Sequence, residues 1–407
     1  MSDHFAPTDA AQVLEVVASA AAAETPLEVV GAGSKRALGR PVQTNQRLEL
    51  SGLNGIELYE PAELVMTARP GTTMAAIDAE LQGHGQHLAF EPPDLGPLLG
   101  APADNTIGGT IGGAIACNLA GPRRPKAGAA RDHFLGVEAV TGRGEAIKAG
   151  GRVVKNVTGY DLCKLFAGSY GTLAVMTSVT VKVMPAPEKT RTVLVAGLGD
   201  QDAGRAMTAA LTSPHEVSAA AHLPAAVAAR SGVSYVSGAG GAITAVRVEG
   251  PAPSAEHRCQ ALRDLLSSYG DIEELHGHNS GALWREVGDV APFVGRPDRE
   301  VWRLSVPPTA GATVAASILE NADGEVFYDW GGGLVWLSLV DDHGATVRAA
   351  VAETGGHATL VVADTARRDA LAVFEPQEPG LAALSARIKD GFDPRSILNP
   401  GRMYPGV

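Results

Sequence analysis

Apolar residues recur along this chain with two alternating periods, and each change of period marks an element boundary. After Pro7-Thr8-Asp9, the residues Val13, Leu14, Val16 and Val17 fall on one helical stripe, which the alanines at 20–23 prolong and Pro26 ends. Thr8 or Asp9 supplies the cap, because a short side-chain oxygen can accept from the first unpaired amides of a helix. Residues 27–30 form a short apolar strand that feeds the tight loop Gly31-Ala32-Gly33-Ser34. Residues 48–53 and 63–68 read as two further strands, the second closed by Pro70-Gly71. Thr72 then caps a helix over 74–82, with Gly83 and Gly85 past its end. Residues 87–90 are extended and run into Glu91-Pro92-Pro93-Asp94, and two glycine pairs precede the apolar stretch 111–119. Residues 134–141 form a strand that turns at Gly142-Arg143-Gly144 and pairs back through 146–149.

From residue 191 onward, strands and helices alternate with short links. Residues 191–198, 217–224, 242–250 and 300–308 read as strands, and 202–213, 254–270 and 280–287 as helices. In the second of these helices Leu262, Leu265 and Leu266 point inward, and the third carries Trp284. Residues 325–340 form a hairpin about Gly331-Gly332-Gly333, and 343–356 and 357–363 close the region. Such a pattern suits an antiparallel sheet with helices on one face, of the ferredoxin-like kind.

Length and composition narrow the classes. The chain has 407 residues, enough for two domains, with 45% apolar and 19% charged residues, the balance of a globular protein. A formal charge of −12 disfavours nucleic acid and anionic membrane as partners. Cys117, Cys163 and Cys259 lie far apart and give no disulfide, zinc or iron–sulfur spacing. The first residues lack a basic region and a long apolar run, so the expected compartment is the cytoplasm, with any membrane association made through partners.

The candidate chemistry sits in the glycines. Gly108-Gly109 and Gly112-Gly113 bracket Thr110 and Ile111; without a Cβ the backbone can approach a flat or bulky group, or make a tight turn. The Gly31-Ala32-Gly33-Ser34 loop is either an anion cradle or an ordinary turn, and it is not a dinucleotide fingerprint, since no third glycine and no long helix follow. Lys155-Asn156 precedes Thr158-Gly159-Tyr160-Asp161, which is either a site for negative charge or a surface turn with a helix capped by Asp161. Arg131-Asp132 either positions the glycine loop or ends a solvated loop, and Cys163 is a small helix-face residue.

In order, GAGS after a strand, ELVMTARPGTT before a helix, FEPPD, TIGG, RDHFLGVEAVTGRGEAI, GGRVVKNVTGYDLCKLFAGSYGTLAVMTSVTVKV and FDPRSILNPGRMY resemble the vanillyl-alcohol oxidase class of flavoproteins. These carry a PCMH-type FAD-binding domain, and the D-2-hydroxyacid dehydrogenases are among them. The short length, KNVTGYDL and DWGGGLVWL are most similar to the FAD-binding E subunits of bacterial glycolate oxidases. The resemblance implies an α+β protein: a two-subdomain FAD domain over 1–187, a ferredoxin-like cap over 188–375, and a segment 376–407 returning to the FAD domain. It implies that Gly31, Ala32, Gly33, Ser34 and Lys35 wrap the pyrophosphate of FAD, and that Thr110, Gly112 and Gly113 lie along the ribityl–pyrophosphate arm. Gly168, Ser169 and Gly171 approach the cofactor, Val175 meets its adenine end, and Asn399 returns to the flavin ring, although Asn-Pro-Gly also makes a terminal turn. Pro93, Lys155, Asn156, Gly159 and Tyr160 complete the implied cofactor contacts, with Lys155 placed to stabilise negative charge on the reduced flavin. FAD is expected to be non-covalent, because relatives that attach it usually place a histidine in the first glycine loop and none occurs over 27–58.

The second half lacks the histidine-rich, acidic run with which single-chain relatives hold a metal and a catalytic base. His276-Gly277-His278-Asn279 is the nearest candidate, without acidic company, so no metal is expected and no catalytic residue is assigned. Trp284, Arg285, Tyr328 and Trp330 are candidates to line a residual cleft. The resemblance therefore implies a flavin subunit that oxidises glycolate together with a second flavoprotein and an iron–sulfur subunit. The alternatives are a stand-alone FAD-dependent dehydrogenase of a small hydroxyacid, or an assembly subunit that binds FAD for stability.

Overall fold

The computed structural model describes residues 4–101, 108–152 and 159–407. It divides into two compact units, one of Met1–Ala120, Gly128–Ala186 and Asp364–Val407, the other of Gly121–Ala127 and Pro187–Ala363.

The first unit begins with the helix Ala10–Ala23, whose cap is Asp9: its carboxylate accepts from the amide of Gln12. Val13, Val17, Ala20 and Ala21 pack against Leu27, Leu48, Leu50, Leu53, Val140, Val175, Ile397 and Leu398. This core lies beside a three-stranded parallel sheet in the order His4–Phe5, Arg47–Glu49, Glu28–Val30. A five-stranded antiparallel sheet runs in the order Ile56–Glu60, Val65–Ala68, Ala174–Lys182, Phe134–Thr141, Ala146–Gly150.

Local departures from the sequence reading have local causes. The strand expected over 48–53 stops at Glu49, because Leu50 and Leu53 turn inward to the core and the backbone of Gly71 packs on the Leu50 carbonyl where no Cβ would fit. The residues 56–60, not expected as a strand, pair with Val65–Ala68. The helix Met74–Gly83 is capped by Thr73, not Thr72: Thr73 Oγ1 accepts from Ala76, while Thr72 Oγ1 donates to the Arg69 carbonyl (2.7 Å) and accepts from Gly55 (2.9 Å). Of the extended stretch 87–90, only Gln86–His87 forms a ladder, with Met184–Pro185.

The C-terminal residues are built into this unit. The Leu27 amide donates to the Ile397 carbonyl (2.7 Å) and the Asn399 amide to the Leu27 carbonyl (3.0 Å). Behind them the helix Pro379–Phe392 presents Lys389, 2% exposed, to Asp393, fully buried. Lys389 Nζ donates to Asp393 (2.7 Å) and to the carbonyls of Thr172 (2.7 Å) and Leu398 (3.0 Å); Asp393 accepts from the amides of Ile397 (3.0 Å) and Leu398 (2.8 Å). Every strong polar group of the pair thus has partners, the condition on which a buried ion pair is tolerated.

The second unit holds one eight-stranded antiparallel sheet. Its first half is β-α-β-β-α-β: Lys189–Ala196, helix Asp200–Leu211, Ala219–Leu223, Ile243–Gly250, helix Ala252–Leu266, Asp271–His276. The second repeats the order: Arg299–Ser305, helix Gly311–Leu319, Gly324–Asp329, Leu334–Val340, helix Gly344–Ala352, His357–Val362. The ferredoxin-like arrangement is therefore present twice, and the halves join where His222 pairs with Tyr328. Joining removes two exposed strand edges, each a liability alone. In the helix Ala252–Leu266 the buried stripe is Ala255, Cys259, Leu262 and Leu266; Leu265 is 38% exposed, contrary to the sequence reading, because it lies a quarter-turn off that stripe.

Replacing Lys389 by Met leaves the Asp393 carboxylate buried without its cation, and urea unfolding of the first unit should show a loss of about 3–5 kcal/mol. The pair Lys389→Met with Asp393→Leu should recover part of it. Equal midpoints for wild type and Lys389→Met would exclude the pair as a support.

Candidate functional site

A cleft opens in the first unit, lined by the loop that follows the strand Glu28–Val30, the start of the helix Ile111–Ala116, the turn at Tyr170-Gly171, the strand Ala174–Lys182 and the C-terminal Asn399 and Arg402. Of the residues implicated by sequence, Gly31, Ala32, Gly33, Ser34, Lys35, Thr110, Gly112, Gly113, Gly171, Val175 and Asn399 line it. Gly168 and Ser169 do not. They form the turn beneath it, Gly168 donating to the Ile115 carbonyl and Ser169 Oγ to Phe166 (2.8 Å). Pro93 is buried off the wall, in a segment whose Gly96 lies against Ser34. Gly159 and Tyr160 are elsewhere, with the Tyr160 ring 92% exposed, and Lys155 and Asn156 lie outside the described residues.

The loop from Gly31 to Lys35 has the strongest chemical character. The amides of Ala32, Gly33, Ser34 and Lys35 donate to no acceptor among the described residues, and Gly33 adopts φ +79°, which curls successive N–H groups toward one side. Gly31 has no Cβ because one would stand 2.5 Å from Thr110 Oγ1. Lys35 Nζ reaches Ser34 Oγ at 3.2 Å, and Gly109 makes room for it. Burial pushes the Lys35 ammonium down, with Cys117 and Asp94 acting the other way. Burial likewise pushes the Cys117 thiol up.

The second glycine motif behaves differently from the sequence reading. Thr110 caps the helix Ile111–Ala116 by accepting from the Gly113 amide (3.3 Å). The Ile111 and Gly112 amides donate to the Thr72 (3.0 Å) and Pro70 (2.9 Å) carbonyls. These N–H groups are therefore already satisfied. Gly112 is glycine because a Cβ would meet Pro70 Cβ at 2.6 Å and its carbonyl at 2.9 Å. The motif shapes the wall, and the anion-binding capacity lies in the first loop.

Sequence pattern does not single out Arg402, Arg36 or Tyr170, although Arg402 lies in the quoted PGRMY run. Arg402 is buried, and its guanidinium donates to the carbonyls of Lys35 (3.2 Å) and Arg36 (3.0 Å), which fixes the first loop from below. Burial lowers its pKa. Glu28 binds Arg36 through two hydrogen bonds (2.9 and 2.7 Å) and Arg47 through one (3.3 Å). Burial opposes its ionisation, but Arg36, Arg402 and Arg47 outweigh it and hold the carboxyl below the ordinary range. Asn399 accepts from the Val29 amide (2.8 Å) and donates to the Tyr170 carbonyl (2.8 Å); Gly171 leaves room for its amide. Lys35, Arg36 and Arg402 line the cleft, and no carboxylate does among the described residues. In a chain of charge −12, such a wall suits an anionic ligand, and a pyrophosphate fits its amides and cations.

In the second unit, two of the residues proposed for a residual cleft, Trp284 and Tyr328, have separate partners, and Arg285 is exposed. Trp284 is buried, donates to Thr192 (2.8 Å) and carries Arg247 over its ring; Tyr328 donates to Asp200 (2.5 Å). His276 contacts Arg191 (2.5 Å) and Glu274 (3.1 Å). Among the described residues no group of three or more His, Cys, Asp or Glu is placed to hold a metal ion, and no helix is long and apolar enough to cross a membrane.

Residues 4–150 match the family described as an FAD binding domain. The chain is 35% identical to the glycolate oxidase subunit GlcE of Escherichia coli strain K12 over 393 residues, 96% of either chain. It is 32% identical to the glycolate oxidase subunit GlcD of Bacillus subtilis strain 168 over 191 residues, 47% of this chain and 38% of that one. Its fold is similar to that of p-cresol methylhydroxylase with a TM-score of 0.71, covering 98% of this chain and 88% of that one at 16% identity, a likeness that speaks for the PCMH-type fold alone.

The Glu28 carboxyl gives the loop a pH signature. A folded-state pKa below the ordinary value of 4.5 means that its contribution to stability is present above that value and is lost as pH falls through the folded one. Thermal melts from pH 6 downward should therefore fall more steeply below about pH 4.5 in wild type than in Glu28→Gln; parallel curves would contradict this.

Proposed function

This chain belongs to the family of the glycolate oxidase subunit GlcE, an FAD-binding oxidoreductase family, and on that premise we propose that it is the FAD-binding subunit of a glycolate oxidase complex. It takes part in the oxidation of glycolate to glyoxylate, with a second flavoprotein and an iron–sulfur subunit as partners, and reaches a membrane only through them. The observation that carries the reading is the first-unit cleft, which is lined by the residues of four successive unpaired amides and by Lys35, Arg36 and Arg402, with no carboxylate among the described lining residues.

When bound, FAD supplies a hydride acceptor. The amides of Ala32, Gly33, Ser34 and Lys35 hold its pyrophosphate, and the Lys35 ammonium neutralises part of that charge. Arg402 keeps the loop in its curled form through the Lys35 and Arg36 carbonyls. Asn399 holds the strand Glu28–Val30 against the turn at Tyr170, so the two walls keep their spacing. The attachment is non-covalent. We assign no base for the hydroxyl of the substrate in this chain, and losing a general base typically costs about 10²–10⁴ in rate. The partner flavoprotein supplies it, and electrons leave through the iron–sulfur subunit.

Two variants test the cofactor site. Lys35→Met removes a charged donor and should weaken FAD binding at least about tenfold. Gly113→Val presses on Lys35 Cε and Thr110 Oγ1, 3.3 and 3.4 Å from a Cβ there, and should lower flavin content while the protein stays folded. Flavin absorbance per chain after desalting measures both; wild-type content in both would remove the loop from the site. Flavin that precipitates with the protein in acid would show a covalent bond. Stopped-flow mixing of the isolated chain with glycolate should bleach the flavin slowly or not at all, and rapid bleaching would make the chain a self-sufficient dehydrogenase.

A further inference from the structure

The chain that leaves the glycine loop of the first unit is held by a second arginine. Arg402 binds the carbonyls of Lys35 and Arg36, and Arg368 Nη1 donates to those of Ala37 (2.8 Å) and Gly39 (3.1 Å). Between Lys35 and Gly39, only the Leu38 carbonyl is left out of this pairing with two guanidinium groups. The Arg40 amide donates in turn to the Arg402 carbonyl (2.9 Å), and a Cβ on Gly39, at φ +89°, would stand 3.1 Å from that same oxygen. Arg368 itself sits on the short helix Thr365–Ala370, whose Asp364 cap accepts from the Arg367 amide (2.8 Å).

The charge on Arg368 is left largely uncompensated. The residue is 8% exposed, makes no ion pair among the described residues, and keeps its Nε sealed from water without a hydrogen-bond partner. Burial lowers its pKa, with Asp364 acting the other way. Arg402 is equally buried, and the charge of Arg368 adds to what pulls its pKa down. Two like charges placed in this way cost free energy. A mere tie between the segment 364–370 and the loop needs only a hydrogen-bond donor, which a neutral side chain would supply without that cost. An anion bound at the loop offsets it.

We infer that Arg368 is a positioning residue of the anion site. With Arg402 it fixes the carbonyls over 35–39, so that the unpaired amides of Ala32, Gly33, Ser34 and Lys35 keep one arrangement, and its charge adds to the attraction for an anion. Arg368 does not line the cleft and acts through the loop. That the anion is the pyrophosphate of FAD rests on the function proposed above; the clamp rests on the geometry alone.

The probes are ADP, which carries the pyrophosphate without the flavin, and FAD. Each is titrated by calorimetry into the full-length chain after flavin removal, at a series of salt concentrations. Wild type should bind both, more weakly as salt rises. Arg368→Met should weaken both at least about tenfold and flatten the salt dependence. Arg368→Lys keeps the charge and loses the fork, so its affinity should be intermediate and its salt dependence near wild type. The flavin-free Arg368→Met chain should melt close to wild type, because relief of the repulsion with Arg402 offsets the lost hydrogen bonds. Should that variant not fold, Arg368→Gln, which keeps a neutral donor, takes its place with the same expected losses. ADP affinity and salt dependence equal to wild type in folded Arg368→Met or Arg368→Gln overturns the inference and leaves Arg368 a tie between chain segments. So does a loss confined to FAD with ADP unchanged, since the residue then acts away from the pyrophosphate. Arg368-dependent ADP binding in a complex that does not oxidise glycolate would sink the proposed function and leave the anion site standing.

Discussion

Asp393 and Lys389 are an ion pair sealed from water, and the candidate site depends on them. An isolated buried charge is costly, so the pair survives only because each member has several partners: two backbone carbonyls for the ammonium and two backbone amides for the carboxylate, besides each other. Those partners come from the segment at 397–398 and from Thr172, and the same segment bonds Leu27 at the start of the strand that carries the glycine loop. Once there, Asn399 and Arg402 need no further ordering to reach Val29, Tyr170 and the Lys35 and Arg36 carbonyls. Asp393 also fills the space beside Gly142, so the hairpin turn after Phe134–Thr141 is shaped by the same carboxylate.

The cleft follows from a second constraint, the cost of cations in a confined space. Burial lowers the pKa of both Lys35 and Arg402; at Arg402 the cost is met in part by the Lys35 and Arg36 carbonyls and by the Glu28 carboxylate, which stands outside the wall. That placement leaves the cleft positive while the adjacent loop stays anchored. An anionic cofactor gains from such preorganisation because the protein has already ordered the groups that meet it.

The glycines show why similar motifs differ in use. Gly33 and Gly171 have positive φ and serve the backbone path. Gly112 has ordinary helical geometry and serves the contact with Pro70, while its amide is already taken. Gly33 and Gly112 stand in GxG and GG runs that look alike, and only the backbone angle and the neighbour of the missing Cβ tell them apart.

What the sequence by itself determined is local and cumulative. The capped helix at 10–23, the hairpin over 134–150, the two alternating runs after 190 and the loop Gly31–Lys35 follow from period, caps and turn residues acting over a few positions. The resemblance of ordered motifs reached the flavoprotein family and the FAD cofactor in the same way. Tertiary structure alone decided the rest. Thr73 displaced Thr72 as a cap because Gly55 and the Arg69 carbonyl claimed the Thr72 hydroxyl. Leu50 left its strand because the core drew it in, and the ferredoxin-like unit was doubled because two edge strands met at His222 and Tyr328. Arg402 came to the cleft across more than 360 positions of chain, and Arg124 reached Trp330 across some 200. Such pairings leave no periodic trace, since they depend on which buried charges and hydrogen-bond donors the fold must satisfy once the core has formed.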